Sequence, residues 1–173
     1  MLEDLAGSED LSIFESETVK DLIEFKWNRF GFYFNLFGFL VHGFNVLMIF
    51  LYIDYVYING STDSLENERH VKIKQKYLKI IVALVGYPLF YETLQIYRED
   101  FAEYWGDTGN YFDWVFIIGS FTMVGQHWND PYSFLAKLNM SIVVSLAIRR
   151  TFNFLRIFDS LSPIVTMLNN VIW

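Results

Sequence analysis

The longest apolar stretch of the chain lies at residues 30–58 and reads FGFYFNLFGFLVHGFNVLMIFLYIDYVYI. As an α-helix rising ~1.5 Å per residue it would extend about 43 Å, which exceeds the ~30 Å hydrocarbon core of a bilayer. Trp27 precedes the stretch and Tyr52, Tyr55 and Tyr57 close it, and such residues favour the two membrane interfaces. We therefore expect a first membrane span here, tilted or protruding from the bilayer.

Three further apolar stretches follow, and together they predict an all-α fold: a membrane-embedded four-helix bundle of an integral, multi-pass membrane protein. The second span is expected at Tyr77–Tyr97 with a kink at Pro88. The third is expected at Tyr111–Gln126 and is short by the ~20-residue rule, which suggests protein neighbours rather than lipid on all sides. The fourth is expected at Ser133–Phe158. A long polar loop at 59–76 and a turn at 126–133 complete the prediction.

Composition excludes several classes of function. The chain has 173 residues, the size of one domain, and is 53% hydrophobic and 20% aromatic. Its net charge of −7 argues against a nucleic-acid partner. It has no cysteine, which excludes disulfides and thiolate metal sites. No nucleophile–base arrangement or phosphate-binding loop is present, so we do not expect an enzyme.

The regions flanking the bundle differ from it in character. Residues 1–26 are expected to form an acidic tail and a short amphipathic helix at the membrane surface, with Thr18 as its cap. The bundle occupies residues 27–161. Residues 162–173 are expected to begin a further helix, because Ser162 can cap it and Pro163 suits its first position. No C-cap residue follows in that helix, so we expect the chain to be a fragment of a longer polypeptide.

Charge does not decide the orientation of the bundle, because basic residues flank both sides of the predicted membrane. Asn59, Gly60 and Ser61 form a glycosylation acceptor triplet in the first polar loop. The triplet favours an extracellular loop.

Four polar side chains stand at the facing ends of the second and third spans. Glu92 and Gln95 are three residues apart, as are Asn110 and Asp113, so each pair shares one face of its helix. A short connection makes the two helices antiparallel neighbours and brings both pairs to the same depth. Two carboxylates and two amide oxygens form a hard oxygen ligand set, which suits Ca²⁺ better than zinc or copper.

A second interpretation of the same residues remains open. Glu92 and Asp113 can instead be counter-charges for the fourth span, which carries Arg149, Arg150 and Arg156. That pairing would be structural, or it would be the charge-transfer site of a voltage sensor. The positions that precede the arginines at intervals of three residues, Met140, Val143 and Leu146, are apolar. A static fourth helix is therefore the expectation, rather than steep voltage sensing.

Three stretches resemble the transient receptor potential (TRP) cation channels. LIEFKWNRFGFYFNLFGFLV (22–41) is similar to the pre-S1 helix and S1 of the vanilloid and ankyrin branches. YWGDTGNYFDW (104–114) is similar to the S2–S3 linker and the start of S3 in the ankyrin branch. SLAIRRTFNFLRIFDSLSPIVTMLNNVI (145–172) is similar to S4 and the S4–S5 linker. The resemblance covers nearly the whole chain after residue 15.

The resemblance implies an S1–S4 domain that regulates a cation channel. It implies a cytosol-facing Ca²⁺ site at Glu92, Gln95, Asn110 and Asp113, coupled to gating through the S4–S5 segment from Ser162. It also implies a pore domain (S5–S6) in the same or another chain, a homotetramer, and an extracellular 59–76 loop. The alternatives are a free-standing S1–S4 module serving as an accessory subunit, and a voltage-sensing domain.

Overall fold

The computed structural model describes residues 16–58, 68–99, 101–158, 161–163 and 167, and within these ranges there is no β-strand. Six α-helices are assigned in the described part of the chain: α1 Glu17–Lys26, α2 Phe32–Ile53, α3 Glu68–Arg98, α4 Phe101–Tyr104, α5 Thr108–Asn129 and α6 Phe134–Leu155. π-helical turns at Trp27–Gly31 and Asp54–Ile58 flank α2. The all-α prediction is confirmed for these residues.

The chain divides into two compact units, Met1–Phe37 and Gly38–Trp173. In the first unit, α1 buries none of its residues. Its cap position is Ser16 rather than the expected Thr18, since the Ser16 carbonyl accepts from the backbone N–H groups of Val19 and Lys20. The helix therefore starts two residues before the sequence-based cap.

In the second unit, α2, α3, α5 and α6 contribute to one apolar core. On α2, α3 and α6 its buried members recur at intervals of three and four residues, as one face of an α-helix requires. They are Ile49 and Tyr52 with Val56 after α2, Leu78, Ile81 and Val85 of α3, Phe116, Ile117 and Met123 of α5, and Met140, Val143 and Ala147 of α6.

The α5–α6 hairpin is packed closely at Gly119. A Cβ atom built on this glycine would lie 3.2 Å from Val143 Cγ2, whereas one on Gly125 would meet nothing within 4 Å. Asn139 of α6 also donates to the Gly119 carbonyl at 3.2 Å. Small residues at such a contact let two helix backbones approach each other.

Two sequence-based boundaries are wrong. The predicted 59–76 loop is helical from Glu68 onward, because Lys, Gln and Glu are good helix formers and most of them lie on exposed positions there. The third helix extends beyond Tyr111–Gln126 to Thr108–Asn129, because the Asp107 side chain accepts from Gly109 N at its start. The turn before α6 is correspondingly reduced to about residues 130–133, and Ser133 caps that helix.

Two helical segments are long and apolar enough to cross a membrane, Glu17–Ile58 and Glu68–Arg98. Only 28% and 22% of their most apolar windows are buried within the protein. Among the described residues, α5 and α6 do not meet the same criterion. Membrane association is thus indicated for two segments. The prediction that α5 and α6 also span the membrane is not tested by this criterion and stays a prediction.

Candidate functional site

A buried cluster of charged residues lies where α3, α5 and α6 meet. Glu92, near the end of α3, is only 1% exposed. Its Oε1 lies 3.7 Å from Nη2 of Arg150 on α6, and its Oε2 accepts a hydrogen bond of 2.8 Å from the hydroxyl of Tyr104. Both carboxylate oxygens of Glu92 therefore have a polar neighbour, as a buried carboxylate requires.

Arg150 also pairs with the second carboxylate. Its Nη1 lies 2.9 Å from Oδ1 of Asp113 on α5, and the Arg150 side chain is 11% exposed. The rings of Phe116 and Phe154 lie 5.8 and 5.9 Å from the guanidinium carbon. One arginine thus bridges two carboxylates from two other helices at an apolar rim, where electrostatic attraction is weakly screened.

Tyr104 organises the connection between α3 and α5. It is fully buried, and its hydroxyl accepts a 2.8 Å bond from Trp114 Nε1 while donating to Glu92. Its backbone carbonyl accepts a 2.7 Å bond from Asn110 Nδ2. Burial raises the pKa of Tyr104, and the hydrogen bond to Glu92 raises it further. The phenol therefore stays protonated near neutral pH and remains a donor to Glu92.

The structure brings three of the four expected calcium ligands into this cluster and leaves the fourth outside it. Glu92 and Asp113 meet at Arg150, and Asn110 joins through Tyr104. Gln95 points elsewhere, since its Nε2 donates to the Glu99 carboxylate at 3.0 and 3.2 Å.

As arranged here, the two carboxylates face an arginine rather than an ion. The Arg150 guanidinium already bridges the two carboxylates that would have to face the ion, and the side-chain amides of Asn110 and Gln95 donate to other groups. Within the described residues, no group of three or more His, Cys, Asp and Glu side chains could hold a metal. Ca²⁺ binding remains a prediction, and it requires Arg150 to leave the carboxylates.

The other predicted site residues are more peripheral. The guanidinium of Arg149 lies 3.8 Å from the ring centre of Phe112, a cation–π geometry, and Arg156 is exposed in the turn after α6. Ser162 and Pro163 are helical, and Ser162 N donates to the Phe158 carbonyl at 2.9 Å. Most of the predicted linker helix, and the glycosylation triplet at Asn59, lie outside the described residues.

The sequence analysis missed two members of the cluster, Tyr104 and Trp114. Both lie in the stretch 104–114 that resembles TRP channels, but no spacing rule links a connector tyrosine to a carboxylate twelve positions earlier. His127 was also expected in a loop. It lies in the last turn of α5, fully buried, with Nε2 2.9 Å from the Tyr57 hydroxyl and Nδ1 2.8 Å from the Met123 carbonyl.

Comparison with protein-family models, with curated proteins and with solved structures finds no match for this chain.

Proposed function

We propose that this chain is a four-helix transmembrane domain of the S1–S4 type that regulates a TRP-like cation channel. In this proposal α2, α3, α5 and α6 correspond to S1–S4. The segment from Ser162 passes changes in helix packing to a pore domain. The resemblance of three separate stretches, in the right order, supports this assignment.

The distribution of apolar surface supports membrane insertion of all four helices. Large apolar side chains stay exposed on each of them: Leu40 (59%) on α2, Phe90 (64%) on α3, Ile118 (57%) on α5 and Leu135 (65%) on α6. Extensive exposed apolar surface of this kind marks a membrane or protein interaction face. The charged side chains of the cluster are instead largely buried between the helices, with Glu92 1% and Arg150 11% exposed, as polar groups in a membrane bundle are.

The observation that carries the proposal is the bridge from Arg150 to Glu92 and Asp113. It joins the fourth helix to the second and third at one end of the bundle, next to the segment that would lead to a pore. Breaking a buried ion pair is costly, on the order of 3 kcal/mol, because one charge is left without its partner. A stimulus that separates these groups would therefore change the packing of α6 strongly.

Calcium regulation enters the proposal as competition. Ca²⁺ would bind Glu92 and Asp113 only by displacing Arg150, and Asn110 and Gln95 would have to turn their carbonyl oxygens toward the ion. Binding would then release α6 from α3 and α5. When bound, Ca²⁺ would supply a divalent cation that competes with the Arg150 guanidinium for the carboxylates of Glu92 and Asp113.

Calorimetry on the purified chain in detergent tests the calcium part. We expect Glu92→Ala and Asp113→Ala to lose the Ca²⁺ response of the wild type. Arg150→Gln should bind Ca²⁺ more tightly, because its competitor is gone. Arg156→Gln is the matched control, since it removes an exposed arginine from the same segment. An equal Ca²⁺ response in all variants contradicts the calcium site.

Recordings from cells that express the complete reading frame test the channel part. We expect a cation current whose gating changes in Arg150→Gln and not in Arg156→Gln. A reading frame without a pore, or cells without current, would favour the free-standing accessory module instead.

A voltage sensor is the second candidate, because an arginine paired with carboxylates of two neighbouring helices is the arrangement a charge-transfer site needs. The buried face of α6 before Arg150 consists of Ala136, Met140, Val143 and Ala147, which supply no further charge to transfer. We therefore expect no gating current from the wild-type chain. A gating current that disappears in the triple variant Arg149→Gln, Arg150→Gln and Arg156→Gln would replace the regulatory proposal with voltage sensing.

A further inference from the structure

A strongly basic face lies on the first three turns of α3, away from the buried cluster. Between residues 68 and 79 the chain carries five basic residues and one acid, Glu68. Lys72, Lys76 and Lys79 are spaced four and three residues apart, so they lie along one side of the helix. All three are exposed. The single acid of this stretch pairs with Lys72, at 3.4 Å, and leaves an excess of basic charge on the face.

The basic face continues directly into apolar surface. Lys72, Lys76 and Lys79 line a shallow groove on α3, whose other walls are Gln75, Ile80 and Ala83. Ala83 follows Lys79 by one helical turn and is also exposed. A ligand seated in this groove would thus meet ammonium groups at one end and hydrocarbon side chains at the other.

The position of the groove along α3 matches a membrane interface. Residues 80–97 contain one charged side chain, the buried Glu92, and are bounded by Lys79 and Arg98. At ~1.5 Å per residue they extend about 27 Å, close to the ~30 Å hydrocarbon thickness. Lys79 then lies at the edge of the hydrocarbon, and Lys76 and Lys72 lie about 5 and 10 Å further out, in the headgroup region.

A neighbouring aromatic residue supports this depth. Trp128, at the end of α5, is 41% exposed. Lys79 Nζ lies 6.0 Å from its ring centre, and Lys74 Nζ lies 3.4 Å from its carbonyl oxygen. Tryptophan beside lysine is the residue pair expected at headgroup level.

We infer that this groove binds the phosphate of an anionic phospholipid, with Lys72, Lys76 and Lys79 around the headgroup and Ile80 and Ala83 against the start of an acyl chain. The inference rests on the membrane insertion of α3 and does not depend on the channel function. Charge complementarity selects the anionic headgroup over a zwitterionic one, because each lysine near an anionic surface contributes separately to the attraction.

The test reconstitutes the full chain in vesicles of phosphatidylcholine with and without phosphatidylglycerol, and measures by native mass spectrometry which lipids remain bound after mild extraction. We expect the wild type to retain phosphatidylglycerol severalfold over phosphatidylcholine, with a preference that weakens at high salt. Neutralising Lys72, Lys76 and Lys79 together to Gln should remove the preference, so that the two lipids are retained about equally, because each lysine contributes to the attraction of the anionic headgroup. Replacing the same three with Arg should keep it.

The matched control removes three basic charges elsewhere, by Lys20→Gln, Lys26→Gln and Arg29→Gln, and should retain the wild-type preference. An equal lipid preference in the two Gln triples, or no preference in the wild type, overturns the inference. Displacement of the lipid by inorganic phosphate would assign the site to a soluble anion and overturns it as well. Alkaline carbonate extraction tests membrane insertion separately. If carbonate releases the wild-type chain from the vesicles, α3 is not inserted; if the chain stays in the membrane but shows no lipid preference, only the lipid site is wrong.

Discussion

At the residue scale, one arginine holds the charged cluster together. Arg150 contacts Glu92 and Asp113 on two different helices, while its neighbour Arg149 lies over the ring of Phe112. Two consecutive positions on a helix are about 100° apart, so adjacent arginines cannot share one partner set. The sequence limited the choice to three arginines, and the orientation of α6 selects the middle one.

Replacing Arg150 by Gln should destabilise the chain by on the order of 3 kcal/mol, because Glu92 stays buried without its cation. Thermal unfolding in detergent measures the effect. The double variant Arg150→Gln with Glu92→Gln should recover part of the loss, since it removes the more deeply buried carboxylate together with the arginine and leaves only the partly exposed Asp113 without its cation. Arg156→Gln should change the unfolding temperature little. Equal losses at Arg150 and Arg156 would contradict the ion-pair assignment.

Replacing Tyr104 by Phe should cost about 1–3 kcal/mol, because the hydroxyl links Trp114 Nε1 to Glu92 Oε2 within the core. Tyr111→Phe is the control, since the Tyr111 hydroxyl bonds the Trp105 carbonyl at an exposed position. We expect the control to lose about 0.5 kcal/mol or less. The unfolding temperatures of the two variants give the comparison, and similar values would rule out a special role for Tyr104.

At the element scale, α5 and α6 pack directly against each other, and their contact depends on Gly119. Gly119→Val should separate the two helices and destabilise the chain by about 1–3 kcal/mol, because the new side chain meets Val143. Gly125→Val carries the same helix-propensity change in open space on the same helix and serves as the control. Unfolding of both variants in detergent measures the difference. A larger loss at Gly125 would contradict the packing argument.

Helix boundaries also belong to this scale. The hydropathy pattern located all four long helices but misplaced the start of α3. Hydropathy alone assigns the charged residues 68–76 to a loop, because it detects only the apolar residues that a helix buries. An exposed helical turn needs good helix formers rather than apolar residues. The end of α5 was misplaced for a related reason. The polar residues Gln126, His127 and Asn129 resemble a turn, yet His127 is buried by its contact with Tyr57.

At the scale of the whole molecule, the exposed apolar faces predict insertion into a bilayer. The proposed topology puts the segment between α2 and α3 outside the cell and the Arg150 cluster on the cytosolic side. In cells, Asn59 should therefore carry a glycan. Treatment with a glycosidase should remove it and increase the electrophoretic mobility of the chain. Asn59→Gln should abolish this mobility shift. An unmodified wild-type chain whose 59–67 segment is accessible only from the cytosol would reverse the topology.

The sequence by itself determined that this chain is helical, where its long helices lie, and which polar side chains stand at their facing ends. Those features depend on local periodicity and on the free energy of burying apolar side chains, which a single stretch carries within it. It left open whether Glu92 and Asp113 face an ion or an arginine. Only the tertiary structure decided that Arg150 bridges them and that Gln95 points away, because the rotation of α6 about its axis depends on packing between residues distant in the chain. The same packing buries Tyr104 between Glu92 and Trp114, and no local sequence pattern predicts that burial.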